Sequence, residues 1–271
     1  MDESRKIVRT AIVVLIVLIA AAGVYYLFIA DRGKAPVVEE TPAPGAIGAA
    51  EKVAAGPTPG NPVNVALDKS DDVLRPVAAD ISSNGVFAQW LKSKDLIRRF
   101  VAAVDAIAGG QSPRPQADFF NLKGGFPIVQ RNGRTYLDPS GYERYNVVAD
   151  VFDSLSAAGC AKIYRDFQGP IEQAYRDLGY PAGGFHGTLL RAILEVLKTP
   201  IVDAAIPLEK KVNTYVFADP ALENLNPAQK HLLRMGPENI QLIQAKLREL
   251  ALAVGFAEDQ LLKARAAKPG K

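Results

Sequence analysis

The sequence predicts a mainly α chain: one transmembrane helix, a flexible tether, then a compact helical domain that carries a small β-hairpin. Three observations predict it. Residues 11–30 (AIVVLIVLIAAAGVYYLFIA) are 20 residues without a charge. Residues 31–63 are rich in Pro, Ala and Gly and show no hydrophobic period. From residue 64 to 257 apolar residues recur three and four apart, interrupted by one run of β character.

At ~1.5 Å per residue a helix over residues 11–30 spans ~30 Å, the hydrocarbon thickness of a bilayer. The competing reading is a cleavable signal peptide, with Arg5, Lys6 and Arg9 as its basic region and Ala20, Ala21 and Ala22 as its cleavage site. The apolar run continues past those alanines through Tyr25, Tyr26, Leu27, Phe28 and Ile29, well beyond the ~7–15 residues of a cleaved segment, so a retained anchor is expected. Tyr25 and Tyr26 suit an interfacial aromatic belt. The slight excess of basic residues before the span predicts residues 1–10 in the cytoplasm and the domain on the far side. In a Gram-negative bacterium this is a single-pass inner-membrane protein with a periplasmic domain.

Residues 35–63 cannot bury enough apolar surface to offset the entropy of ordering. As a coil they hold the domain roughly 30 Å from the membrane. The net charge of +3 sits at the two ends of the chain, with Lys263, Arg265, Lys268 and Lys271 closing a basic tail over residues 258–271. Residues 35–262 are net negative, which gives no support for nucleic-acid binding. The single Cys160 excludes an internal disulfide.

Within the domain, Ser70 with Asp71 and Asp72 predicts a helix start, with Pro76 bending or shortening that helix. A short helix carries Phe87, Trp90 and Leu91. Ser93 is expected to cap a stronger one whose face holds Leu96, Ile97, Phe100, Val101, Val104 and Ile107, ended by Gly109 and Gly110. In residues 126–137 (FPIVQRNGRTYL), Asn132 and Gly133 predict a type I′ hairpin turn. Asp138 and Pro139 open the next helix, lined by Tyr142, Tyr145, Val148, Ala149 and Phe152. Residues 157–178 keep helical phase across Gly169 and Pro170, which predicts one kinked helix. Another helix spans residues 185–198 and stops at Thr199 and Pro200. Residues 212–217 read as a short strand beside the hairpin. Asp219 with Pro220 and Asn226 with Pro227 repeat the cap-then-proline device. Gly236 and Pro237 open a last helix with an apolar seam at Ile240, Ile243, Leu247, Leu250 and Val254.

No stretch carries a catalytic signature, so no catalytic residue, cofactor or metal is assigned. His186 and His231 lack any metal-ligand spacing and read as structural. Cys160 lies on an apolar stripe and reads as an inert thiol. Gly183 and Gly184 with Thr188 superficially resemble an anion site at a helix N-terminus, but two glycines prove little and a flexible turn is the preferred reading. Glu143, Asp150, Asp153, Asp166, Glu172 and Asp177 fall mostly on polar helix faces. The residues singled out for binding or for a structural lock are Arg98, Arg99, Arg234, Glu238 and Asn239. Arg98 and Arg99 sit mid-helix between apolar neighbours, where one must edge the buried face and take a carboxylate or a helix C-terminus. Arg234, Glu238 and Asn239 surround the Gly236–Pro237 junction, where free helix N–H groups begin.

Residues 96–105 (LIRRFVAAVD), 136–145 (YLDPSGYERY), 163–181 (IYRDFQGPIEQAYRDLGYP) and 215–239 (YVFADPALENLNPAQKHLLRMGPEN) resemble the bacterial domain of unknown function 3014. The resemblance extends over about residues 65–254. It implies the same layout, with a short cytoplasmic end, one span, a Pro/Ala-rich tether and this domain, and it carries no activity or catalytic residue.

Three functions follow as expectations. The first is a non-enzymatic envelope module that binds a protein or cell-wall partner. The second is an envelope hydrolase with a site assembled from His186, His231 or acids near the hairpin. The third is a homo-oligomer in which the seam over residues 240–254 pairs with a second copy.

Overall fold

The computed structural model describes residues 60–115, 125–212 and 214–262. The expected span over residues 11–30, the tether as far as residue 59 and the basic residues from Lys263 onward lie outside them. Among the described residues no helix is long and apolar enough to cross a membrane.

The described part is a mainly helical domain with a small antiparallel sheet of four strands. Its chain begins in extended form and makes a 3-10 turn at Leu67–Lys69, which runs into α1 (Ser70–Ala79). Ser70 does not cap α1. Its hydroxyl donates backward to the Leu67 carbonyl at 2.6 Å, because the preceding 3-10 turn already supplies the helix start. Pro76 is accommodated inside α1 without ending it. Next come α2 (Gly85–Trp90), capped by the Asn84 side chain, and α3 (Leu96–Ala108). Ser93 does not cap α3 either. The residue before α3 is Asp95, in the left-handed region at φ 58°, and the first amides of α3 are taken by Asp71 of α1. Its two carboxylate oxygens accept from Asp95 N at 2.7 Å and Leu96 N at 2.9 Å. An acid expected to serve its own helix thus caps its neighbour.

The hairpin forms as expected: β1 (Ile128–Arg131) and β2 (Arg134–Leu137) join through Asn132 and Gly133 at φ 50° and 72°. It is half of a larger sheet. β2 pairs with β3 (Pro207–Lys210), and β3 pairs with β4 (Tyr215–Phe217), all antiparallel in the order β1-β2-β3-β4. The strand expected at residues 212–217 is therefore shorter, and its partner is β3 rather than the hairpin. Pro207 and the charged pair Glu209 and Lys210 hid β3, since proline and acids are poor strand formers.

After β2, Asp138 and Pro139 open two 3-10 turns, at Pro139–Gly141 and Glu143–Tyr145, before α4 (Asn146–Asp153). Residues 157–178 form two helices rather than one kinked helix: α5 (Ala157–Asp166) and α6 (Gln168–Asp177), joined through Phe167. Pro170 has no N–H to return to Asp166. The remaining helices are α7 (Phe185–Leu197), α8 (Pro220–Glu223), α9 (Pro227–Leu233), α10 (Pro237–Val254) and α11 (Glu258–Leu262). The last of these corrects the tail: Leu261 is buried, so the domain runs five residues further than the sequence suggested.

Two hydrophobic clusters hold the domain. One gathers α1, α3, α5, α6 and α7 around Val101, Phe167 and Phe185 and takes in the C-terminal end of α10. The other gathers Leu137 of β2, Phe217 of β4, α4 and α9 around Ile206, Leu233 and Met235, with Ile240 and Ile243 of α10. α10 runs through both, and Leu247 touches each. Its apolar seam packs against α4, α5 and α7 of its own chain.

Candidate functional site

Where the two clusters meet they leave a cleft of about 750 Å³. On one side α1, α3 and α7 contribute Leu74, Phe100, Val104 and Ile193; on the other α9, the turn after it and α10 contribute Leu232, Met235 and Ile243. Phe87 and Trp90 of α2, with Phe152 of α4, close a third wall. Phe100 was expected in the core. It is instead 42% exposed at the cleft, its ring set edge-on to Phe185 at 5.7 Å. The described lining holds few polar groups, chiefly Gln89, Ser93, Arg99 and His231, and no acid. Clefts of roughly 300–1,000 Å³ with apolar walls and a few polar groups are the usual form of ligand sites.

One polar residue of the lining, His231, is set by α9. Asn226 and Gln229 form a reciprocal capping box, and Pro227 takes the first helical position. That fixes His231, which is buried. Its Nδ1 lies 2.9 Å from Ser112 Oγ, and its ring meets Tyr145 edge-on at 6.2 Å. Burial, with Arg114 and Arg234 nearby, lowers the imidazole to about 4, so it is neutral at physiological pH. Arg234 lies 5.7 Å over the Phe217 ring, and burial lowers its pKa despite the opposing pull of Tyr145 and then Glu223. Glu223 is itself engaged by Lys230 Nζ at 2.6 Å and the Phe217 amide at 3.0 Å.

The residues singled out from the sequence fall into two separate groups. Arg98 forks between Asp68 at 2.5 Å and Asp177 at 2.6 Å, tying α3 to the chain before α1 and to α6. These bonds raise the Arg98 pKa and lower that of Asp177. Arg98 is a structural bridge. Arg99 donates from Nε to the Lys94 carbonyl at 3.0 Å, and its side chain lines the cleft. At the other junction Asn239 is the lock. Its amide nitrogen reaches the carbonyls of Met235 at 2.8 Å and Tyr142 at 3.2 Å, and Asn146 Oδ1 at 3.0 Å. Glu238 is exposed and joins none of these bonds. The structure thus brings Arg99 to the cleft, whose lining also holds His231, and leaves Arg98, Arg234, Glu238 and Asn239 outside that lining.

The other candidates resolve into structure. Glu172 accepts from Gly183 N at 2.9 Å and Phe185 N at 3.3 Å, so the anion site at the start of α7 is filled by the protein's own carboxylate. His186 is bonded by Tyr164 at 3.0 Å and stacked on Phe256 at 4.3 Å. The Cys160 thiol is pushed up to about 11 by burial, which suppresses the nucleophilic thiolate. No three His, Cys, Asp or Glu side chains gather at metal-binding distance among the described residues. Sequence reasoning missed the cleft itself. Its signal was the excess of large apolar residues on and just beyond two short helices (Phe87, Trp90, Leu91, Phe152 and Leu155), more than so small a set of turns needs for its own packing.

The chain matches no curated protein and no solved structure. Residues 96–251, from the first turn of α3 to the last turns of α10 and so most of the cleft, match a family described as protein of unknown function (DUF3014), and the chain belongs to that family.

Proposed function

We propose that the chain is a non-enzymatic binding module, moored to the bacterial inner membrane by residues 11–30 with its domain in the periplasm, and that the cleft between the two cores holds an apolar ligand. The observation that carries this reading is the cleft of about 750 Å³ with almost wholly apolar walls. A protein of this size has enough apolar side chains to close such a gap, and an empty one forfeits packing. Such walls favour a hydrocarbon-bearing partner over the polar glycan of the cell wall. The uncharged run before the tether supports the mooring.

The test uses the full-length chain held in amphipol and the neutral dye Nile red. Saturable dye fluorescence is expected, and Ala103→Trp, which places an indole in the cleft, should abolish it. Dye that binds equally to both chains would sink the reading. For the topology, protease added to intact spheroplasts should remove the domain; protection would reverse the orientation.

A second reading, an envelope hydrolase, has one observation in its favour: the contact of Ser112 Oγ with His231 Nδ1 at 2.9 Å at the cleft's edge. Against it stands the imidazole at about 4, too weak a base to activate a hydroxyl efficiently near neutral pH. Turnover of a long-chain p-nitrophenyl ester that disappears in Ser112→Ala would favour the hydrolase over the binding module.

A further inference from the structure

We propose that residues 263–271 dock on an anionic phospholipid surface and so turn the α5 and α11 end of the domain toward the bilayer. The inference rests on the mooring by residues 11–30 proposed above and adds a second contact with the same membrane.

Where the chain enters and leaves the domain gives the first argument. The entering segment is pinned to the last residue of α5: the Val63 amide donates to the Asp166 carbonyl at 2.8 Å, and the Asn61 amide to Asp166 Oδ1 at 3.0 Å. The leaving segment is pinned to the same helix. Arg165, one residue earlier, donates to the Ala253 carbonyl near the end of α10 at 3.4 Å. Phe256 stacks on His186 at 4.3 Å, and His186 Nδ1 lies 3.0 Å from the Tyr164 hydroxyl of α5. Val63 and Leu261 pack into the same hydrophobic cluster. The chain that comes from the tether and the chain that follows α11 therefore leave the domain at one end.

Charge gives the second. Residues 263–271 (KARAAKPGK) hold Lys263, Arg265, Lys268 and Lys271 and no acid, while residues 35–262 are net negative. Glu258 and Asp259 of α11 are the nearest acids along the chain and leave the cations in excess. An anionic bilayer repels the body of the domain and attracts this one run, so its field selects a face of the domain as well as a distance. Each basic residue close to such a surface favours it about 5-fold. Leu262 adds an apolar side chain, 53% exposed, beside the first of the cations, a pairing that suits a lipid interface.

Reach gives the third. A Pro/Ala/Gly-rich segment of the tether's length spans roughly 30 Å as a coil. Nine residues span about 30 Å when extended. Residues 263–271 are thus long enough to touch the surface at the stand-off that the tether sets. No residue of α5, α6 or α11 lines the cleft, so docking by this end does not use the cleft walls.

The experiment reconstitutes the full-length chain, with Cys160→Ala and a donor dye on Ala257→Cys, into vesicles that carry a rhodamine acceptor on a lipid headgroup. Ala257 is exposed just before α11. Energy transfer should be stronger in phosphatidylcholine vesicles containing phosphatidylglycerol than in phosphatidylcholine alone, and molar KCl should remove the difference. Lys263→Gln, Arg265→Gln, Lys268→Gln and Lys271→Gln should each lower the ratio of docked to undocked domain about 5-fold, and all four together should abolish the difference between the lipids. With the donor moved to Val212→Cys, 93% exposed between β3 and β4, the anionic lipid should bring no gain. Equal transfer in the two lipids, or a gain that survives the fourfold change, would overturn the inference. An equal gain at residues 212 and 257 would overturn it too, because the domain would then settle without a preferred face. Retention of the chain in the vesicles through an alkaline carbonate wash would leave the mooring standing in each of these cases. Release by that wash would overturn the mooring and this inference together.

Discussion

The Val63 amide donates to the Asp166 carbonyl at 2.8 Å, and that carbonyl is available because residue 170 is a proline. In an unbroken helix the N–H of residue 170 would take it. Pro170 removes that donor, α5 ends at Asp166, and an extended segment of the chain enters in its place. The Asp166 side chain adds a second bond, from Asn61 N to Oδ1 at 3.0 Å. One residue therefore fixes where the chain that precedes the domain meets its core.

Pro170→Ala should return a helical donor to Asp166 and release Val63. Hydrogen exchange at the Val63 amide should then quicken at least about 10-fold, the loss of roughly 1.4 kcal/mol of protection. Asp166→Ala is the contrasting variant, because it removes only the carboxylate. Asn61 should exchange faster while Val63, bonded to the main chain, stays protected. Equal quickening of both amides in both variants would show that the segment docks through something other than this carbonyl.

The Gly236–Pro237 junction makes a second prediction. Asn239 joins the end of α9 to the turn before α4 and to Asn146, all through one buried amide. Asn239→Leu removes the shared donor from all three acceptors, though the Tyr142 carbonyl keeps the Tyr145 amide, and should cost about 1–3 kcal/mol in urea unfolding. Gly236→Ala should cost at least as much by a different route. Gly236 sits at φ 86°, and an added Cβ would lie 2.5 Å from Tyr142 Cγ. A loss that appears in Asn239→Leu and not in Gly236→Ala would mean that Tyr142 moves aside freely.

A third prediction concerns Gln244 on α10. It is buried, and its amide donates to the carbonyls of Val196 at 3.0 Å and Thr199 at 2.9 Å, closing the C-terminal end of α7. Gln244→Leu gains apolar contact and takes this donor from the Thr199 carbonyl, while the Val196 carbonyl keeps the Thr199 amide. The lost hydrogen bonds should outweigh the gain, with a net loss of about 1–3 kcal/mol. A thermal unfolding midpoint that rises in the variant would refute this ranking of effects.

These cases show what could be read from the residues alone. Long amphipathic runs such as α3, α7 and α10 declare themselves because their core contacts repeat along one face. Local chemistry does too: Asn132 with Gly133, and Asn226 with Pro227, each act over a few residues. Apart from the break at Pro170, which is local, the main misses are partnerships at a distance. Ser70 and Ser93 looked like caps, and the cap of α3 comes from Asp71 on another helix. The strand β3 is poor in β-formers and exists because β2 and β4 flank it. The cleft was the least legible feature, since a space between two cores is defined by what several helices fail to fill. Arg99 and Arg234 were visible as misplaced cations, and only the fold tells that Arg99 lines the cleft while Arg234 lies over the Phe217 ring.

The last prediction is a pH dependence carried by His231. Its ordinary value of 6.5 falls to about 4 in the fold, through burial first and then the fields of Arg114 and Arg234. The unfolded chain therefore takes up a proton that the folded chain refuses. The stability associated with the neutral imidazole is fully present above pH 6.5, falls as the pH drops from there toward about 4, and is constant below that. Across that window the loss approaches roughly 3 kcal/mol. His186, also lowered by burial, adds to the fall in the same direction. His231→Gln removes the titrating group while keeping a polar side chain near Ser112. Its unfolding free energy should fall less steeply between pH 6.5 and 4 than that of the parent, and the two curves should run parallel above pH 7. Parallel curves throughout would mean that the proton enters the folded imidazole without cost, and that the surroundings of His231 are more open to water than its burial implies.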